Sequence, residues 1–191
     1  MTEYREALDW WNSRKKATDT INVYYTADAF VKQNALVQYH KDEVGWNLVI
    51  KPYKDGYIIK DVLVYPQKVS PAFISVDTAK YGLWKATLTD EQDANLFGHG
   101  HSHVNMNVSP SGVDIAQQYE ELSLKKGGFW LFQICNKKGD INSFLYDLEK
   151  DVCYETENIQ LIVETEDGDL WDFVEASYGM LTYDSKVPDE T

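Results

Sequence analysis

The chain reads as an α/β protein, and three observations carry that reading. Helix-like and strand-like runs are interleaved along most of the 191 residues. The strand-like runs are short and apolar, and the one from Phe129 to Cys135 is apolar enough to be a central strand. The composition, 43% hydrophobic and 26% charged, is that of a soluble globular chain. A chain of this length buries a full core without staples. We expect residues 1–20 to form an N-terminal helical extension, residues 21–163 the main domain, and residues 164–191 an acidic C-terminal extension.

The elements follow in order. Residues 3–17 read as a helix with Tyr4, Ala7, Leu8, Trp10 and Trp11 on its apolar side, capping the core or offering a docking surface. A strand spans 21–25. Thr26 suits the N-cap of a helix over 26–37, because its hydroxyl can accept an orphan backbone N–H. Strands begin near Glu43, at Gly56 and at Phe73, and the turn at Lys54-Asp55-Gly56 makes the first two a hairpin. Residues 78–93 fit neither period cleanly, although Thr89 can open a short helix. Residues 95–101 read as a buried strand whose glycines let the chain pass close to a neighbour or ligand. The next helix runs from Ser111 to about Lys126 and is ended by Gly127-Gly128. After the strand from Phe129, residues 136–140 turn, and strands over 143–146 and 160–163 follow. A helix is expected over 172–180 and disorder from Ser185 onward.

Charge is unevenly placed. Residues 1–139 hold 16 acidic and 16 basic side chains, and residues 140–191 hold 15 acidic and 2 basic ones, so the net charge of −13 comes from the last quarter. A nucleic-acid binder needs basic surface against phosphate, which disfavours direct nucleic-acid binding. The acidic end suits either a basic protein partner or a purely solvated surface. The chain opens with no basic-then-apolar leader pattern, and no apolar run is long enough for a membrane span. The cytoplasm is therefore the expected compartment, with Cys135 and Cys153 as buried, inert thiols rather than a disulfide.

The densest chemistry lies between His101 and Asp114, where the chain reads H-x-H-x7-S-x-x-D. On an extended strand, His101 and His103 point to one face. Ser111 and Asp114 stand at the start of the following helix, in the pattern of a capping box. Two imidazoles and one carboxylate suit a single metal ion and leave a fourth tetrahedral position for water.

This spacing resembles the metal-binding motif of the JAMM (also called MPN+, or JAB-domain) zinc metalloproteases. The segment at Glu43-Val44-Gly45 resembles that family's upstream glutamate and glycine, and the match is roughly collinear from Ile21 to Val163. Two departures are Val104, where the family often has proline, and a single glycine, Gly45, where many members have two. The resemblance implies a curved mixed β-sheet flanked by helices, with a Zn2+ site at strand ends, over residues 21–163. It implies His101, His103 and Asp114 as zinc ligands, Glu43 as the general base and acid, and Ser111 as the donor to the tetrahedral intermediate. It implies hydrolysis of a peptide or isopeptide bond in a protein or peptide substrate, with a ubiquitin-like tail as one candidate.

Other residues are weighed against these. Using His99 and His101 as the ligand pair would put Gly112 at the carboxylate position, so His99 is expected beside the site instead. His40 is expected to be a surface or helix-cap histidine, and Glu91 is the rival for the general base. Trp46 and Met106 are candidates to line a substrate groove. The alternative function is a catalytically vestigial scaffold or inhibitor that binds a basic partner through the acidic end. A zinc hydrolase acting on a non-peptide amide is the third reading.

Overall fold

The computed structural model describes residues 2–70 and 73–164. The helix expected over 172–180 and the tail from Ser185 lie outside the described residues. Helix α1 (Thr2–Ser13) ends earlier than its apolar pattern suggests. The reason is tertiary. Lys16 forms a parallel bridge with Cys153, and the Ala17 N–H donates to the Cys153 carbonyl at 2.8 Å. The Cys153 N–H donates in turn to the Lys15 carbonyl at 2.8 Å. A strand edge with unpaired backbone groups offers residues 15–17 better partners than another helical turn.

Strand β1 (Ile21–Thr26) leads into helix α2 (Ala27–Tyr39), where Thr26 is the N-cap and accepts from the Ala29 N–H at 3.3 Å. His40 is the C-cap, its N–H bonded to the Leu36 carbonyl. Strands β2 (Gly45–Tyr53) and β3 (Gly56–Leu63) form the expected antiparallel hairpin, with Lys54 at φ 46° in the turn. Strands β4 (Gln67–Ser70) and β5 (Phe73–Val76) form a separate two-stranded sheet. The ambiguous stretch resolves into helices α3 (Thr78–Lys85) and α4 (Asp90–Ala94), opened by Asp77 and by a Thr89–Gln92 capping box. Strand β6 (Leu96–Ser102), helix α5 (Gly112–Ser123) and strand β7 (Phe129–Cys135) make a crossover between parallel neighbours. Strands β8 (Ile141–Asp147), β9 (Val152–Glu155) and β10 (Ile159–Glu164) complete the described chain.

Eight strands form one mixed sheet in the order β10-β1-β3-β2-β6-β7-β8-β9. Its edges, β9 and β10, are joined by the single 3-10 turn Thr156–Asn158, and residues 15–17 pair with β9 just before the chain enters β1. The sheet is therefore curved and nearly closed, with helices against it. Register shifts on both sides of β2, at Val49/Ile50 and Leu48/Val49, sharpen the bend. On one face Val23, Tyr25, Trp46, Leu48, Ile59 and Leu131 form one buried cluster with Ala29 and Val37 of α2. On the other, Trp130, Phe132, Phe144 and Tyr146 bury against Trp10 and Trp11 of α1 and Leu122 of α5. Trp10, Trp11 and residues 15–17 thus pack or pair against the sheet.

Candidate metal centre

The alternation Gly98-His99-Gly100-His101 divides β6 between two faces. A Cβ on Gly98 would lie 2.7 Å from the Leu131 carbonyl oxygen and 2.9 Å from Ile50, and one on Gly100 would overlap the Trp46 indole. The glycine face is thus filled by core side chains. Trp46 has no exposed surface and belongs to that core, which corrects the expectation that it lines a groove. His99 and His101 point the other way, beneath α5 and the β4–β5 hairpin.

His101 and His103 meet Asp114 there. Their ligand atoms lie within 4.8 Å of one another, a group that can hold a metal ion. Nε2 of His101 is 3.1 Å from Oδ1 of Asp114, and Nε2 of His103 is 3.4 Å from Oδ2. The His101 contact lacks hydrogen-bond geometry, so its buried Nε2 has no hydrogen-bond partner among the described residues. An unpaired buried ring nitrogen facing a carboxylate is what a cation between them would satisfy. Nδ1 of His103 lies 2.8 Å from the Asn107 carbonyl oxygen. As its donor it leaves Nε2 with the lone pair a metal requires.

Asp114 is positioned by its helix. Ser111 is the N-cap of α5, its hydroxyl accepting from the Asp114 N–H at 3.2 Å, while Oδ2 of Asp114 accepts from the Ser111 N–H at 2.6 Å. The capping box and the metal group therefore share one carboxylate. Burial opposes ionisation of Asp114, but the His101 and His103 imidazoles and Ser111 outweigh it and hold its carboxyl well below the usual range. Burial lowers the His103 pKa, and Asp114 and the Asn107 carbonyl more than reverse that.

Between His103 and α5, Val104 has φ 46°, a left-handed conformation that branched side chains rarely adopt. It starts a turn in which the Met106 N–H donates to the His103 carbonyl at 2.7 Å. Proline, fixed near φ −65°, cannot make this turn.

Glu43, Ser111 and the three metal-group residues line one cavity of about 640 Å³, together with Tyr65, His99 and Met106. Glu43 is 7% exposed and lies outside the ligand group. Burial raises its pKa against the opposing pull of His103 and His101. Glu91, the rival base, is on the surface, 71% exposed and paired with Lys51 at 3.2 Å. His99 stands beside the group as expected, its Nε2 2.9 Å from the Tyr65 hydroxyl. Burial pushes its imidazole down to about 3, with His101 adding in the same direction, so it is neutral. Gly45 leaves room for this pair, since a Cβ there would overlap the Tyr65 hydroxyl.

The sequence reading missed Tyr65, Gln117, Ile74 and Val76, which also line the cavity. Gln117 had a findable signal, since it lies three residues after Asp114 on one helix face. Tyr65, Ile74 and Val76 arrive through long-range folding and carry no local signal.

No protein-family model and no curated protein matches the chain. Among solved structures, it is similar to the solution structure of protein DSY2949 from Desulfitobacterium hafniense, at 22% identity and a TM-score of 0.47. That likeness covers 75% of this chain and 95% of the other. Cys135 and Cys153 are free and buried, and no helix among the described residues is long and apolar enough to cross a membrane.

Proposed function

We propose that this protein is a zinc-dependent metallopeptidase or isopeptidase with a JAB-like fold, acting on a peptide or isopeptide bond of a protein substrate. The observation that carries the proposal is one cavity joining the His101, His103 and Asp114 group to Glu43 and Ser111. Two imidazoles and a carboxylate form a donor set suited to zinc, with room left in its tetrahedron. The unpartnered Nε2 of His101 supports occupation by a cation.

When bound, zinc supplies a Lewis acid that brings the pKa of water from about 15.7 toward roughly 7. Glu43 accepts the proton of the attacking water and returns it to the leaving amine, base first and acid second. Its raised pKa suits both roles. The Ser111 hydroxyl already accepts from the Asp114 N–H, so its own hydrogen is free to donate to the substrate carbonyl oxygen as charge develops. Asp114 stays ionised, and the Asn107 carbonyl fixes the tautomer of His103.

The purified protein is expected to hold about one zinc per chain, lost on chelation and in His101→Ala and Asp114→Ala but retained in His99→Ala. Elemental analysis that finds no zinc after reconstitution sinks the proposal. Glu43→Gln should keep metal and fold while cleavage of ubiquitin-like fusions or isopeptide conjugates drops by about 100- to 10,000-fold. Ser111→Ala should also keep zinc and lose about 100- to 1,000-fold in rate. If zinc-loaded wild type cleaves none of these substrates while Glu43→Gln captures the same partners, the scaffold reading replaces the enzyme.

A further inference from the structure

The N-terminal helix reaches the candidate site at one point. A Cβ built on Gly112 would overlap the Tyr4 hydroxyl and lie 2.8 Å from Cε2 and Cζ of its ring. Gly112 is the first residue of α5, between Ser111, the N-cap, and Asp114. The ring of Tyr4 thus rests on the backbone of the turn that carries both residues. Tyr4 does not line the cavity, and half of its surface (51%) is exposed. The rest of α1 is firmly seated. Trp10 packs against Tyr119 of α5 at 5.6 Å between ring centroids and against Tyr146 of β8 at 5.7 Å.

From this we infer that Tyr4 is a positioning residue for the metal centre, acting through Gly112 to hold the first turn of α5. The inference rests on the proposed metal-binding reading of that turn. A helix end frays unless something packs on it. Here fraying would move Asp114 and the Ser111 cap together, because each accepts a backbone hydrogen bond from the other. Glycine at the first helical position is a poorer helix former than alanine. Its presence is explained by the ring that occupies the place of its side chain.

Three measurements on the full chain test this. Without metal, amide exchange at Ser111 and Asp114 should speed up in Tyr4→Ala and stay near wild type in Tyr4→Phe, which keeps the ring. Gly112→Ala should lower the urea midpoint in wild type, where it strikes the ring, and raise it in Tyr4→Ala, where only its better helix propensity remains. Zinc affinity, read by competition with a chromogenic chelator, should fall about tenfold in Tyr4→Ala and recover in Tyr4→Phe, in line with supporting residues of metal sites. Unchanged exchange and zinc affinity in Tyr4→Ala, or a Gly112→Ala shift of the same sign in both backgrounds, overturns the inference. Absence of zinc binding in wild type overturns the metal reading instead, and the exchange and midpoint results still decide whether Tyr4 holds the turn.

Discussion

At Gly100, an added methyl carbon would collide with the indole of Trp46, a side chain with no exposed surface. Neither side can retreat, because Trp46 is packed within the core and Gly100 is bonded into the centre of the sheet. Gly100→Ala is therefore expected to destabilise the fold by about 1–3 kcal/mol, the range for overpacking a core. It should also weaken metal uptake, because β6 must shift and His101 shifts with it. Urea unfolding and zinc titration check the two effects, and a silent Gly100→Ala would show that β6 is not held against Trp46. The sequence conveyed that these glycines admit a close neighbour. It did not convey which neighbour, because β2 and β6 pair across three intervening strands and two helices. The five candidate residues were legible for the opposite reason. Four of them fall within one short segment whose residue types and spacing suit coordination of a metal ion.

Strand β7 shows the same division at the scale of an element. Phe129, Leu131 and Cys135 join the cluster on the α2 face, whereas Trp130 and Phe132 join the other cluster, so both faces are buried. The sequence reported this as a continuous apolar run. It could not report that Gln133 is buried in the middle, donating to Ser143 at 3.1 Å and accepting from Tyr25 at 2.7 Å. Burial also raises the Cys135 thiol to about 12 and the Cys153 thiol to about 11. Both folded values lie above the ordinary thiol pKa of about 8.5. Their stabilising contribution is thus intact below that pH and is lost as pH rises toward the folded values. Each thiol should cost about 1.4 kcal/mol of stability per pH unit within its window. Urea midpoints between neutral and pH 10 should fall, and less steeply in Cys135→Ala. Equal slopes would mean that Cys135 does not contribute. Neither thiol should react with iodoacetamide in the native state at neutral pH.

Across the whole molecule, the two ends of the described chain are bound together. Arg14 donates to Glu155, the last residue of β9, and its guanidinium lies 3.4 Å from the Trp11 ring centroid. The pair is nearly buried, at 7% and 11% side-chain exposure, and Lys16 reaches the same carboxylate at 2.6 Å. Removing one partner strands a charge away from water. Glu155→Ala is expected to cost about 3–5 kcal/mol, whereas replacing both residues by apolar ones of similar volume should cost much less. Thermal unfolding of the single and double variants checks this, and equal losses would show that a stranded charge is not the source of the single variant's cost. The apolar pattern carried the expected helix through residue 17, whereas the paired edge of β9 decides where it stops. That edge lies 136 positions away by numbering, from Ala17 to Cys153, beyond the reach of any local pattern.

The bridge between residue 16 and Cys153 has a consequence for synthesis. On the ribosome, the opening stretch emerges long before its partner strand exists. β1 is in the same position, because its neighbour β10 is translated last among the described elements. Until residues 144–146 leave the exit tunnel, Trp10 and Trp11 lack Phe144 and Tyr146 to pack against. The nascent chain must carry these aromatic rings without those partners until then, the condition in which holding chaperones engage a polypeptide. Closure of the sheet therefore waits for β10.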